Sequence, residues 1–258
     1  MHLNQTSRLF PLYESARAHY PHEPHWWPLH TPDRGYEVTL GMVLVQQTQW
    51  GIVEAAVLRI LAAGYTSFEA LALADAHTLA TLCKPCAFYT RKAVALIRIA
   101  QHIVTLPDGF VSLVTGERSA LRAGLLTLPQ IGRESADTLL LYGGDHPLFI
   151  VDAYARRVLA RTGIYADQID CMRASYDAIQ QVIEADIGPV DVATARELHA
   201  MMVESSIHHC TANNPRCTKT GAVRRFVDPR KCDAHCPPCS GCPAASLCLY
   251  HQNTIVLG

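Results

Sequence analysis

Leu125 to Arg157 reads LLTLPQIGRESADTLLLYGGDHPLFIVDAYARR, and this stretch decides how the chain folds. Leu128-Pro129-Gln130-Ile131-Gly132 is a short turn between two segments of helical periodicity, with Pro129 ending the first and Gly132 opening the second. A helix–hairpin–helix of this kind points backbone N–H groups and a helix start at a phosphate, which gives affinity for nucleic acid without reading its sequence. Gln130, Ile131, Gly132 and Arg133 are the candidate DNA contacts. Beyond Gly132, Val151-Asp152-Ala153-Tyr154-Ala155-Arg156-Arg157 opens another helical segment with Asp152 where an N-cap belongs.

Outward from this stretch, apolar residues recur at three- and four-residue spacing through Glu37 to Val45, Ile52 to Leu61, Lys92 to Val104, Ser119 to Leu126, Ser135 to Tyr142, Tyr154 to Thr162, Tyr176 to Glu184 and Thr194 to Glu204. That is the period of a helix. Thr66-Ser67-Phe68-Glu69 fits a capping box, and Gly144, Gly163 and Gly188 stand just past expected helix ends. No alternating run with a hairpin turn behind it reads as a strand, so the fold class is all-α. Residues 1–35, which include His25-Trp26-Trp27-Pro28, lack long periodicity and are expected to pack on a later part of the chain. After Cys210 the chain turns Cys-, Pro- and Arg-rich, as where ligands rather than a core hold the fold.

Composition bounds the function. With 49% apolar and 17% charged residues over 258 positions, the chain can bury a sizeable core, which excludes disorder as its main state. The apolar run Val38 to Val45 stops at Gln46-Gln47-Thr48-Gln49, well short of the roughly 18 residues a bilayer span needs, so no membrane partner is expected. Asn4, Gln5 and Arg8 interrupt the first residues and argue against a secretory signal, which points to a cytoplasmic, nucleoid-associated protein. Lys and Arg total 22 against 23 Asp and Glu, so any nucleic-acid surface is a local patch. Seven of the ten cysteines fall between Cys210 and Cys248, a clustering that without a signal peptide favours metal or iron–sulfur ligation over disulfides.

Together, the hairpin, the Val151-Asp152 step and Val43-Leu44-Val45-Gln46-Gln47-Thr48-Gln49 resemble the helix–hairpin–helix DNA glycosylases of the endonuclease III superfamily over roughly residues 20–250. The resemblance implies a two-lobed architecture: residues 36–146 as a helical lobe with the hairpin, and residues 1–35 with 147–258 as a second lobe carrying the catalytic residue and a cluster loop. It implies that Asp152 is the catalytic carboxylate. It also implies that a glutamine at the mouth of the base pocket fills the gap left by a flipped nucleotide, with Gln46 the first choice and Gln47 the alternative. The partner is duplex DNA holding damaged bases, met by a monomer.

Subfamily rests on positions that differ. The bifunctional members place a Schiff-base lysine two residues after the hairpin glycine; here that residue is Glu134, so lysine-dependent strand cleavage is not expected. The adenine glycosylases place an acidic residue four positions ahead of the Gln-Gln-Thr-Gln string; here it is Met42, which cannot protonate a base. The pieces Trp26-Trp27-Pro28, Gly41 to Thr48 followed by Trp50, Ala87-Phe88-Tyr89 followed by Lys92-Ala93, and Ile131 to Asp137 are similar to the bacterial 3-methyladenine DNA glycosylases. That branch implies that Trp26, Trp27, Pro28 and Trp50 line the damaged-base pocket. The chemistry agrees, because an N3- or N7-alkylated purine is cationic and already a good leaving group, and so needs aromatic faces more than an acid. The expected activity is monofunctional excision of 3-methyladenine and 7-methylguanine. The alternatives are a glycosylase for oxidised pyrimidine or uracil, and a catalytically weak damage-binding paralogue. Gln130 departs from the glycine usual at its place and disfavours the positive φ that a glycine would take there.

The superfamily's cluster loop, spaced C-x6-C-x2-C-x5-C, holds a [4Fe–4S] cluster. Here Cys210 and Cys217 make the x6 step, while Cys239, Cys242 and Cys248 make the x2 and x5 steps, with 21 residues between Cys217 and Cys239. The resemblance thus implies Cys210, Cys242 and Cys248 as ligands, with Cys217 or Cys239 as the fourth. The alternative is zinc bound by a set drawn from Cys232, His235, Cys236, Cys239 and Cys242. Residues 216–235 carry six Lys and Arg against two Asp, a basic patch suited to a DNA backbone. Cys83-Lys84-Pro85-Cys86 reads as two free thiols in a loop, and His208 and His209 as packing or surface residues.

Overall fold

A computed structural model describes residues 3–20, 26–217 and 241–256. In chain order it forms α1 (Phe10–His19), α2 (Arg34–Val45), α3 (Trp50–Ala62), α4 (Phe68–Ala72), α5 (Ala76–Cys83), α6 (Tyr89–Ile103), α7 (Val111–Val114), α8 (Arg118–Leu125), α9 (Arg133–Thr138), α10 (Ala153–Thr162), α11 (Tyr176–Ile187), α12 (Val192–His208) and α13 (Leu249–Val256). A π-helical turn, Leu139–Gly143, continues α9, and a 3-10 turn, Ala245–Leu247, precedes α13. The described residues contain no strand, and none of their helices is long and apolar enough to cross a membrane.

Helix starts follow from cap chemistry. Asp33, Ser67, Asp75, Glu117, Asp152, Ser175 and Asp191 each accept a hydrogen bond from a backbone N–H of the first turn they precede, which satisfies a donor the helix itself cannot. Gly163 closes α10 in the left-handed conformation, at φ 74°.

The chain divides into two compact units, Trp27–His146 and the pair Met1–Trp26 with Pro147–Gly258. Residues 27–35, expected with the terminal segments, belong instead to the first of these. The Glu37 carboxylate accepts from the backbone N–H groups of His30 and Thr31, and Trp27 packs on Trp50 and Tyr142. In this unit α2 is buried along Gly35 to Leu44, as fits a helix apolar all round, and α3, α6, α9 and the π turn pack about it.

In the other unit α12 is the buried helix, packed by α1 and α10. Leu9, Leu12, Tyr13 and Tyr20 join Phe149, Val158, Ile183, Leu198 and Met201 in one core, so the two ends of the chain share a hydrophobic interior. The helix α1 arises where no periodicity was legible. Its buried residues are Leu12, Tyr13, Ala16 and His19, and two of those four side chains are polar enough to hide the stripe.

Candidate active site

The hairpin forms as α8, a turn and α9. Arg122 on α8 donates from Nε and Nη2 to the two carboxylate oxygens of Asp137 on α9, at 2.8 and 2.6 Å. Asp137 is fully buried, so this bidentate pair fixes the angle between the two helices. Leu128 and Ile131 point into the unit, leaving Gln130, Gly132 and Arg133 exposed. Gln130 does take the left-handed conformation, at φ 60°, despite its side chain. Its carbonyl accepts from Gln46 Nε2 at 2.8 Å, which steadies the turn from outside. Gly132 lies at φ −96°, and a Cβ built on it meets nothing within 4 Å. Neither backbone nor packing requires a glycine there, and without a side chain its backbone stands open to close approach.

Gln46 thus faces the hairpin and is half-buried, with Ser135 Oγ a second neighbour at 3.3 Å. Gln47 is the exposed glutamine of the pair and sits at φ 54°. Beside this loop, Phe88 caps α6 at φ 53° with its ring 55% exposed. Lys92 lies beneath both loops and is 1% exposed. Burial lowers its pKa below the ordinary lysine value, against the opposing influence of Cys86 and Cys83. Both thiols are buried rather than lying open in a loop, Cys83 as the last residue of α5, and burial raises their pKa values.

Trp27 meets Trp50 edge to face, with centroids 5.2 Å apart, and Tyr142 at 5.0 Å. Gly41 is the floor of this group: a Cβ there would come within 2.8 Å of Trp27 Cζ2. Trp50 Nε1 is buried with no hydrogen-bond partner, which leaves one indole donor unspent. Pro28 is half-buried after the tryptophans, and Met42 is buried inside α2.

Trp26 belongs to the terminal unit. Its Nε1 donates to Glu204 Oε1 at 2.8 Å, and its ring stands edge to face with His199 at 5.5 Å. Asp152 caps α10 through Oδ1, which accepts from Ala155 N at 2.6 Å, while Oδ2 lies 3.6 Å from His199 Nε2. Both residues are buried. Glu204 is also 3.0 Å from His208 Nε2, and Tyr20 OH is 2.8 Å from His209 Nδ1. A carboxylate in such a setting, with one oxygen spent on a cap, can stabilise positive charge on a sugar and orient a water.

Cys210, Cys217, Cys242 and Cys248 line one recess with Arg161, Ser205 and Tyr250. Arg161 Nη1 donates to Cys210 Sγ at 3.3 Å and to Thr211 O at 2.7 Å, and Arg157 Nε donates to Cys210 O at 2.6 Å. The arginines of α10 therefore hold the loop that follows α12. Burial raises the pKa of Cys217, and pushes Cys242 up to about 12, so thiolates in this recess call for a cation to compensate them. Among the described residues no three His, Cys, Asp or Glu side chains converge on a metal ion, and Cys210, Cys217, Cys242 and Cys248 are the thiols that line this recess. Cys239, Cys232, Cys236, His235 and most of the basic segment 216–235 lie outside the described residues.

Tyr142, Phe88, Lys92, His199 and Glu204 complete these sites without having been singled out as site residues from the sequence. Tyr142 reads as one more apolar position of its helix. His199 and Glu204 lie five residues apart on α12, a spacing that does not put them on one helix face, and they carry no motif of their own.

Residues 40–183 match the family model described as HhH-GPD superfamily base excision DNA repair protein. A provisionally named DNA repair glycosylase of Methanocaldococcus jannaschii is 31% identical over 209 residues, 80% of this chain and 89% of that protein. The fold is also that of endonuclease III in a non-covalent DNA complex, with a TM-score of 0.67 at 18% identity and 95% of each chain covered. A 3-methyladenine DNA glycosylase of H. pylori, solved with 1,N6-ethenoadenine, superposes with a TM-score of 0.61 at 23% identity over 74% of this chain and 92% of that one.

Proposed function

Because this chain belongs to the HhH-GPD superfamily of base excision DNA repair proteins, and so to the DNA glycosylases, we propose that it excises alkylated purines, 3-methyladenine and 7-methylguanine, from duplex DNA. The observation that carries this reading is the packing of Trp27 on Trp50 and Tyr142 over the Gly41 floor, with one indole N–H unspent. Aromatic faces favour a cationic base over its neutral parent, and the residue where an acid would stand is Met42. The 3-methyladenine glycosylase of H. pylori, which has this fold, supports the same choice.

In this reading the hairpin residues Gln130, Ile131, Gly132 and Arg133 engage the phosphate backbone, and the damaged nucleotide is flipped out of the stack. Gln47, exposed and left-handed, fills the gap better than Gln46, whose amide is engaged by the hairpin. Phe88 offers an apolar wedge beside it. Asp152 stabilises the oxocarbenium-like sugar and orients the water that attacks C1′, with His199 beside its second oxygen and Trp26 against His199. The product is an abasic site with its strand intact. Strand cleavage through an imine needs an accessible amine, and the chain has four lysines. Of the two described, Lys92 is buried and Lys84 is exposed over the Tyr89 ring at 5.3 Å, and the place two residues after the hairpin glycine, where bifunctional members carry the lysine, is Glu134. A [4Fe–4S] cluster held by Cys210, Cys217, Cys242 and Cys248 would brace the loop between α12 and α13.

An excision screen tests the reading. Duplexes holding 3-methyladenine, 7-methylguanine, hypoxanthine, uracil or thymine glycol are incubated with the protein and resolved with and without alkali. Release of the two alkylated purines, with strand breaks appearing only after alkali, is expected. Release of uracil or thymine glycol in their place would move the protein to the alternative lesion class, and release of nothing would make it a binder.

A further inference from the structure

Lys92 takes no part in the chemistry above, yet its surroundings account for all three of its ammonium protons. Nζ donates to Leu44 O at 2.8 Å, to Gln46 O at 2.6 Å and to Thr48 Oγ1 at 3.1 Å. An ammonium has three donors and no acceptor, so this set saturates it. A charge so buried is costly unless it is matched in this way, which makes the arrangement a specific one rather than an accident of packing. Two of the acceptors are carbonyls at the end of α2, groups that a helix leaves without internal partners.

What the ammonium holds is a set of strained loops. Four non-glycine residues of the described chain have positive φ: Gln47, Phe88, Gln130 and Asp145. The first three converge on Lys92. Gln47 stands between two residues that accept from Nζ, Gln46 and Thr48. Thr48 Oγ1 also accepts from Ala87 N at 3.1 Å, which ties in the turn that ends at Phe88. Gln46 Nε2 donates to Gln130 O, which ties in the hairpin. A side chain in the left-handed region is strained, and it persists where the surroundings over-determine it. All three residues are exposed.

We propose that Lys92 is a positioning residue, whose buried ammonium locks Gln47, Phe88 and the hairpin turn at Gln130 into one preformed edge, so that extrusion of the damaged nucleotide depends on it more than DNA binding does. The inference rests on the glycosylase reading above, but it predicts a binding preference that is measurable without excision.

The test uses the full chain as purified, with Lys92→Met and Thr48→Val. Lys92→Met keeps the length of the side chain and removes the three protons; Thr48→Val removes the shared hydroxyl. Affinity is measured for an intact duplex and for the same duplex with a tetrahydrofuran abasic analogue, and 2-aminopurine beside the analogue reports unstacking. Wild type is expected to prefer the analogue. Lys92→Met is expected to melt as a folded protein, to bind intact duplex within about twofold of wild type, and to lose at least about tenfold of that preference together with most of the 2-aminopurine signal. Tenfold corresponds to about 1.4 kcal/mol, the lower end for a hydrogen bond to a charged group. Thr48→Val shows the same pattern, smaller. A folded Lys92→Met that keeps the preference and the signal overturns the proposal, as does an equal loss on both duplexes or a wild type without preference. If Lys92→Met does not fold, Thr48→Val decides by the same criteria. A wild type that prefers the analogue yet excises no lesion defeats the functional reading alone.

Discussion

At the scale of single residues, Asp152 has two duties that substitution can separate. Its Oδ1 caps α10 and its Oδ2 lies beside His199. Asn caps a helix as well as Asp does but carries no charge. Asp152→Asn should therefore melt within about 1 kcal/mol of wild type, since caps of this kind contribute about that much, while single-turnover excision falls at least about a hundredfold, as for other removed groups that stabilise charge in a transition state. Equal rates would reduce Asp152 to a cap. Trp27 calls for a different readout, because removing it also opens space above Gly41. The ratio of excision of 7-methylguanine to that of a neutral lesion cancels any loss of folded protein. A well-placed face favours the cation by roughly 0.5–2 kcal/mol, which converts to a fall of about two- to thirtyfold in that ratio for Trp27→Ala or Trp50→Ala. An unchanged ratio would make the tryptophans structural.

At the scale of elements, the hairpin shows what patterning carries and what it omits. The turn at Pro129 and Gly132 is legible because proline and glycine restrict or free the backbone locally, and α8 falls within a residue of that reading, whereas α9 starts two residues earlier and ends at Thr138, where the π-helical turn Leu139–Gly143 takes over the rest of the periodic stretch. The long helices are legible from their apolar residues, since α3, α6, α10 and α11 each bury a stripe while α2 and α12 bury most of their length. The short helices α4, α5 and α7 offer too few turns for a period to be recognised, although the cap at Ser67 marks where α4 begins. The Arg122–Asp137 pair was not legible as a pair, because fifteen residues separate its members and only the fold brings them together. Arg122→Ala takes the bidentate guanidinium away from a fully buried carboxylate, and the loss, about 3–5 kcal/mol for one broken buried pair, would register in a denaturant titration; replacing both residues by Leu and Asn should cost less. Gly132→Ala makes the opposite prediction. With open space around its Cβ, the variant should keep its stability and lose affinity for intact duplex, and unchanged affinity would mean that no backbone approaches that turn.

At the scale of the whole chain, the terminal unit is the one whose construction sequence reading described least well. Its core draws on Leu9, Leu12 and Tyr13 near one end and Ala244 near the other, contacts of a sequence separation no local pattern reports. The cysteine spacing told a clearer story than the helices around it, yet it left two candidates for one ligand. In the folded chain Cys217 lines the recess with Cys210, Cys242 and Cys248, and its carbonyl accepts from Cys242 N at 3.1 Å. Arg157 and Arg161 of α10 bond Cys210, so a cluster bound in this recess would stabilise the folded terminal unit by linkage, because it would bind folded protein and not unfolded. Cys217→Ser should then lower iron from about four per chain, bleach the visible absorbance and reduce the melting temperature, whereas Cys239→Ser should leave all three near wild type. The reverse pattern would transfer the fourth ligand to Cys239 and leave Cys217 as a neighbour of the recess. Colourless, folded wild-type protein with about one zinc per chain would remove the cluster and turn the question to the cysteines between Cys217 and Cys242.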